Sequence, residues 1–240
     1  MRITRAVVDL RQNGKIASQL LFGERFLIEK SHPERSFGMA KCGYAGWVEN
    51  AALAKARPAT HQVSALATFI YSLPDLKSEP VMRLSFSSKI TVVSTNAGFA
   101  KTPEGYVFAA HLSNQKAHDF VAEAGKFLNV PYLWGGRSSF GVDCSGLVQL
   151  ALGSARINAP RDSGPQELMP EFVPIPPNSS LRRGDLIFWK GHVAIAQSAR
   201  MLLHANAHDM IVSKEEINHV KDRILAASGG KITSIRRVLT

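Results

Sequence analysis

Residues 141–147 read Gly-Val-Asp-Cys-Ser-Gly-Leu, and the change of character across them sets the fold of the second half of the chain. A polar, glycine-containing loop turns here into an apolar run, Cys144–Leu152, which reads as a helix ending near Gly153. Cys144 falls in the first helical turn, where the positive end of the macrodipole favours a thiolate; a small buried core cysteine is the competing reading. Upstream, Asn114 is a candidate N-cap for a helix over 115–129. Ala117, Phe120, Val121, Ala124, Phe127 and Leu128 share one of its faces, and Pro131 stops it. A glycine-rich turn, Tyr132-Leu-Trp-Gly-Gly-Arg137, bridges the two helices.

Downstream, residues 157–180 form a long proline-rich loop. Strand signals follow at Gly184–Trp189, His192–Gln197 and Met201–Ala205. Ser213 is a candidate cap for a helix over Lys214–Ala226, with Glu216 at its start, and residues 232–239 make a last strand. Helices first and an antiparallel sheet afterwards give an α+β arrangement.

The first 113 residues predict only β structure. Short apolar segments such as Ala17–Glu24 and Phe26–Lys30 alternate with Gly14, Gly23, Gly38, Gly43 and Gly46, which act as turns. Two halves repeat a pattern. Gln19-Leu-Leu-Phe-Gly-Glu24, Gly43-Tyr-Ala-Gly-Trp-Val48 and Ala51-Ala-Leu53 answer to Met82-Arg-Leu-Ser-Phe86, Gly105-Tyr-Val-Phe108 and Ala109-Ala-His-Leu112. With a linker at 54–61 (AKARPATH), the division is 1–56 and 60–113 as two small SH3-like barrels and 114–240 as the α+β domain.

Composition narrows the function classes. Hydrophobic residues make up 45% and charged residues 20%, which is globular composition, and no apolar run is long enough to cross a membrane as a helix. The net charge of +10 invites a nucleic-acid reading. Yet residues 1–113 carry 14 basic and 8 acidic side chains and residues 114–240 carry 15 and 11, so the excess is spread and forms no basic arm. Attraction to small polyanions, such as carboxylate-rich peptides, is the milder inference. Two cysteines exclude a disulfide framework.

A nucleophilic cysteine needs a base, and the base needs an orienting group. His192 opens one strand, with Ala194 and Ala196 on its side and Val193 and Ile195 on the other. His204 ends the next, and twelve residues separate the two. A tight turn around Ala199–Arg200 brings them to the same sheet end, making Cys144, His192 and His204 a Cys/His/His set. Metal binding by His204 and His208 competes poorly, because a four-ligand set is not visible. No cofactor is implied.

Tyr132-Leu-Trp-Gly-Gly, Asp143-Cys-Ser-Gly, Arg183-Gly-Asp-Leu, Gly191-His-Val and Leu203-His-Ala, in this order, resemble the blocks of the NlpC-type papain-like cysteine peptidases of bacteria. The two barrels, with Leu-Phe-Gly-Glu24, Gly-Tyr-Ala-Gly-Trp47 and Pro160-Arg-Asp-Ser163, resemble the γ-D-glutamyl-L-diamino acid endopeptidases of that family. The resemblance implies a papain-like catalytic domain with Cys144 as nucleophile, His192 as base and His204 as orienter. It gives the Tyr132 hydroxyl a place in the oxyanion hole, whereas a core aromatic is the plain reading of that residue. Asp143 and Ser145 are implied to bind the γ-D-Glu region, with helix capping open as the alternative for Asp143. Asp162 is implied to recognise the free amine of an N-terminal L-Ala, with Ser163 beside it as a substrate-binding residue, where the plain alternative is an Arg161–Asp162 surface turn. Tyr44 is implied to lie near that amine. One departure stands out: Ala17 and Ser18 occupy the place of an expected acidic residue, which weakens N-terminal selection.

The expected substrate is a small murein peptide, L-Ala-γ-D-Glu-diamino acid, cleaved in wall-peptide recycling. The leading segment MRITRAVVDLRQNGK has no signal-peptide core, so a cytoplasmic location is expected. A secreted wall hydrolase and a non-catalytic wall-fragment binder are the alternatives.

Overall fold

Glycine-punctuated alternation builds the first 113 residues into two copies of one topology. In the computed structural model, which describes residues 1–176, 179–227 and 229–239, the first copy has strands β1 (Val7–Gln12), β2 (Lys15–Leu21), β3 (Phe26–Ser31), β4 (Arg35–Ala40) and β5 (Ala45–Glu49). They form one antiparallel sheet in the order β2-β1-β5-β4-β3. The second copy has β6 (Ala67–Tyr71), β7 (Pro80–Ser85), β8 (Ser94–Asn96), β9 (Phe99–Thr102) and β10 (Gly105–Phe108) in the matching order β7-β6-β10-β9-β8. A 3-10 turn follows each sheet, Asn50–Ala52 and Ala109–His111, and leads into a short closing strand, Leu53–Ala54 and Leu112–Ser113. This is the all-β repeat expected of SH3-like barrels.

Each copy has its own apolar core. Ile3, Val8, Leu10, Leu20, Phe26 and Val48 fill the first, and Val63, Ile70, Leu84, Ile90 and Val107 the second. Phe22 belongs by sequence to the first copy but is buried in the core of the second. The next residue explains how. Gly23 holds φ +77°, and a Cβ there would meet the Lys89 carbonyl oxygen at 2.0 Å, so only glycine permits this approach. The Lys89 N–H donates to the Phe22 carbonyl at 2.8 Å, closing the clasp. Both copies accordingly lie in one compact unit, Met1–Lys116, together with Gly135–Phe140.

The second unit, Ala117–Trp134 and Gly141–Thr240, is α+β. It contains α1 (Phe120–Gly125), α2 (Cys144–Ser154), α3 (Ser163–Glu167), β11 (Phe172–Ile175), β12 (Asp185–Trp189), β13 (His192–Ala196), β14 (Met201–Asn206), β15 (Ile211–Glu216), α4 (Ile217–Ala226) and β16 (Ser234–Val238). One antiparallel sheet runs β11-β16-β12-β13-β14-β15. Ile187, Trp189, Ala194, Ala196, Leu202 and Ile235 pack on one face with Val220 of α4. On the other face Leu186, Phe188, Val193, Ile195, Leu203 and Ala205 are equally buried. Helix α2 packs against β13 and β14.

Four local expectations are corrected. The cap of the first helix is Asp119, not Asn114: its carboxylate accepts the Val121 and Ala122 N–H groups at 2.9 and 3.1 Å. That helix stops at Gly125, and bonds three residues apart, such as Phe127 N–H to the Ala124 carbonyl, carry the chain to Val130. Ser213 caps no helix; it pairs with His204 inside β15, because residues 211–216 complete the edge of the sheet and the helix begins at Ile217. The proline-rich stretch is not all loop. Pro165 sits in the first turn of α3, where its missing N–H costs nothing, and Pro174 lies on the edge strand β11.

Candidate active site

Asp143 starts the site by capping α2. Its Oδ1 accepts the Gly146 N–H at 2.8 Å, which fixes Cys144 as the first helical residue. The capping alternative therefore describes its carboxylate, which is further committed. Arg161 donates to Oδ1 at 2.9 Å and to Oδ2 at 2.6 Å, and also to the Ser145 hydroxyl at 3.0 Å. Arg161 is 2% exposed, so the alternative of a surface turn at 161–162 does not describe Arg161, which forms a buried ion pair. Gln166 of α3 donates to the Ser145 carbonyl at 3.0 Å and to the Pro160 carbonyl at 2.9 Å, holding the 160–166 segment against the start of α2.

Tyr132 is brought to the same place by backbone pairing. It bridges Val142 in parallel, while its N–H donates to the Met210 carbonyl at 2.8 Å. Its phenol is held above its ordinary pKa by burial first and by the nearby Cys144 and Asp143 second, so it stays a hydroxyl donor at neutral pH.

The strand order delivers the histidines. In the β12–β13 pair, Trp189 faces His192. In the β14–β15 pair, Leu202 faces Glu215 and His204 faces Ser213. Period-two alternation then puts His192, His204, Ser213 and Glu215 on one face. Their contacts form a line: His192 Nε2 lies 2.8 Å from His204 Nδ1, and His204 Nε2 lies 2.8 Å from Glu215 Oε1. Glu215 also accepts from Ser213 at 3.0 Å, from Asn206 at 3.2 Å and from Arg223 Nη2 of α4 at 2.9 Å. These donors, His204 foremost and Arg223 next, hold the Glu215 carboxyl far below its usual range.

The Glu215 carboxylate fixes one proton of the line. An ionised carboxylate has no proton to give, so His204 Nε2 carries the hydrogen it donates. Where His204 Nδ1 accepts from His192 Nε2–H, the lone pair of His192 is left on Nδ1. The Val193 N–H, one residue on, faces the Cys144 sulfur, as does the Ser145 N–H. The start of β13 and the start of α2 thus meet at the thiol.

Burial opposes charge on both the thiol and the first histidine. Burial pushes Cys144 up to about 11, with the Asp143 carboxylate adding to it, against the two backbone N–H groups and Arg161. Burial, His204 and Arg223 together carry His192 down to about 3. The helix start favours thiolate, but desolvation of a residue 7% exposed acts against it and is the larger influence.

Cys144, His192, His204, Tyr132, Asp143 and Ser145 are thus gathered within the second unit. Ser163 is buried at the first position of α3, while Asp162 beside it is exposed and makes no side-chain cap bond. Tyr44 lies in the first unit, where its ring packs on the first barrel core and its carbonyl accepts the Ala40 N–H at 2.9 Å. Arg161, Glu215 and Arg223 escaped the sequence reading. Glu215 carried a usable signal, a register position two residue pairs from His204 and so on the same face, but residues 214–226 read as helix and concealed it.

The NlpC/P60 family matches residues 129–228. A γ-D-glutamyl-L-lysine dipeptidyl-peptidase of Bacillus subtilis (strain 168) is 31% identical over 219 residues, covering 79% of this chain and 72% of that protein. The Bacillus cereus protein of the same name is 42% identical over 73 residues, 30% of this chain and 21% of its own. Among solved structures, an NlpC/P60 family protein from Bacillus cereus ATCC 10987 superposes with a TM-score of 0.84 at 19% identity, covering 100% of this chain and 99% of that one. The fold is accordingly the papain-like fold of that family.

Proposed function

This chain belongs to the NlpC/P60 family, whose members are cysteine peptidases acting on peptidoglycan peptides, and from that premise we propose that it hydrolyses the γ-D-glutamyl-L-diamino acid bond. The observation that carries the reading is the His192–His204–Glu215 line at the start of the strand whose Val193 N–H meets the Cys144 sulfur. The thiol of Cys144 attacks the amide carbonyl as His192 Nδ1 takes its proton. The oxyanion is met by the Cys144 N–H and the Tyr132 hydroxyl. His192 then returns its proton to the leaving amine, and a thioester of the γ-D-glutamyl group remains. Water, deprotonated by His192, attacks that thioester, and the acid product and free thiol are restored.

Selection of a free N-terminal L-Ala belongs to the same proposal. It is supported by the activity named for the Bacillus subtilis relative, which releases dipeptides. Asp162 then acts as an exposed, water-screened partner of the amine, a weaker anchor than a buried one. A role in recycling free peptides follows from that preference. The test is product mass spectrometry on L-Ala-γ-D-Glu-L-Lys and its diaminopimelate counterpart, free and N-acetylated, beside intact sacculi. The reading expects L-Ala-γ-D-Glu from the free peptides and slower cleavage of the acetylated ones. Sacculi digested as fast as free peptide would support a wall hydrolase instead.

Glu215 is read as a positioning residue. Its carboxylate holds His204 in the tautomer that leaves His192 Nδ1 free, and it offsets Arg223. In Glu215→Gln the cation of Arg223 stands unbalanced near both rings, so a proton on His192 is harder to hold. We expect kcat to fall about 10- to 100-fold with KM little changed. The acidic limb of kcat/KM should move to lower pH, because His192 is pushed further down. A mere packing role would reduce stability and leave the limb in place.

A further inference from the structure

The first unit contains a cavity of about 600 Å³. That is the size of sites that take small organic molecules. Its wall draws on both barrels: Arg25, Lys41 and Cys42 from the first, Lys89 from the second, Arg57 from the connection, with Arg137 and Glu24 beside them. No residue of the Cys144–His192–His204 line is among the lining.

The lining charge is one-sided. Its five cations face one carboxylate, Glu24, and Arg137 already holds that carboxylate bidentately at 2.9 and 2.9 Å. Arg57 shares Glu104 with Arg2, at 2.8 and 3.0 Å. Lys89 is half-buried, and its Nζ donates at 2.6 Å to Gln62 Oε1, a neutral amide. Burial lowers its pKa, and Arg137 and Lys41 lower it further, against Glu24. Arg25 and Lys41 make no ion pair among the described residues. The geometry is also fixed in advance, because the Gly23–Lys89 clasp and the buried Phe22 hold the two barrels together at the cavity wall. Crowded cations with too few counter-charges raise the free energy of the empty site, and an oxyanion placed among them lowers it through charge-assisted hydrogen bonds.

We propose that this cavity binds a small oxyanion of two or more charges, carried by phosphate or carboxylate groups, between Lys89, Arg57, Arg25 and Lys41. The site is independent of the catalytic reading.

Titration calorimetry of the full chain with inorganic pyrophosphate and with citrate, at ionic strength matched with sodium chloride, tests it. At least one anion should bind saturably at one per chain; which one does identifies phosphate or carboxylate as the carrier. Lys89→Gln and Lys41→Gln should each weaken binding about tenfold or more. Lys41 is exposed, so its variant keeps the test valid if Lys89→Gln does not fold. The bound anion should also slow alkylation of Cys42 by iodoacetamide, read by peptide mass spectrometry so that Cys144 is counted separately. Two results overturn the proposal: neither anion binding beyond sodium chloride, or binding that is undiminished in both variants with Cys42 unprotected.

Discussion

Cys144→Ala is expected to remove hydrolysis of L-Ala-γ-D-Glu-diamino acid peptides, lowering kcat by roughly four decades or more, because Cys144 supplies the sulfur of the thioester. The folded state should be nearly unaffected, since a buried sulfur is exchanged for empty space of one atom. His192→Ala should be as damaging as Cys144→Ala, and the double variant no worse than either. Groups that act as one unit are non-additive, and without the base the neutral thiol keeps its proton. His204→Gln should retain part of the activity, because an amide oxygen can still accept from His192 Nε2–H at that position. Steady-state rates on the purified variants, with thermal melts to confirm folding, check the order. An active His192→Ala beside a dead His204→Gln would reverse the two roles.

Arg161→Met should cost about 3–5 kcal/mol of stability, the effect expected of a buried carboxylate that loses its ion partner. Asp143 would keep one N–H bond from Gly146 but lose both guanidinium contacts, in a site where each group is almost fully withdrawn from water. For a chain of this size that corresponds to a drop in melting temperature of roughly 10 °C. Calorimetry checks it, and adding Asp143→Asn should recover part of the loss, since a neutral amide is cheaper to bury than a lone charge. If Arg161→Met melts with the wild type, the pair contributes no net stabilisation. Activity should also fall, because the same cap holds Cys144 at the first position of α2.

Much of this site was legible because it is written in short, rigid signals. The loop-to-helix change at Cys144 and the two strand openings at His192 and His204 depend on local pattern alone, and the pairing of β13 with β14 follows from a short turn. The repeat was legible too: glycine–aromatic pairs recur at the same place in both barrels, and the sheets share a strand order. What stayed hidden depends on distant partners. Arg161 looks like a surface residue beside Asp162 until Asp143, eighteen positions back, withdraws it from water. Glu215 reads as a helix residue until β14 recruits residues 211–216 as an edge strand. The thiol is a case of competition between two effects, both visible in principle. The helix dipole can be read from sequence, but the depth of burial that outweighs it cannot. Likewise Phe22 is an ordinary strand residue of the first barrel by pattern, and only the Gly23 clasp sends it into the second.

The central claim is that Cys144 forms a thioester with the γ-D-glutamyl group, and acid quenching during turnover tests it most directly. Wild-type protein is mixed with L-Ala-γ-D-Glu-diamino acid peptide, stopped within milliseconds, digested and mapped by mass spectrometry. The account predicts an added L-Ala-γ-D-Glu acyl group on the peptide that contains Cys144, absent from the peptide that contains Cys42 and absent from Cys144→Ala. Product accumulating at the wild-type rate in Cys144→Ala, or an acyl group found on Cys42 instead, would contradict it.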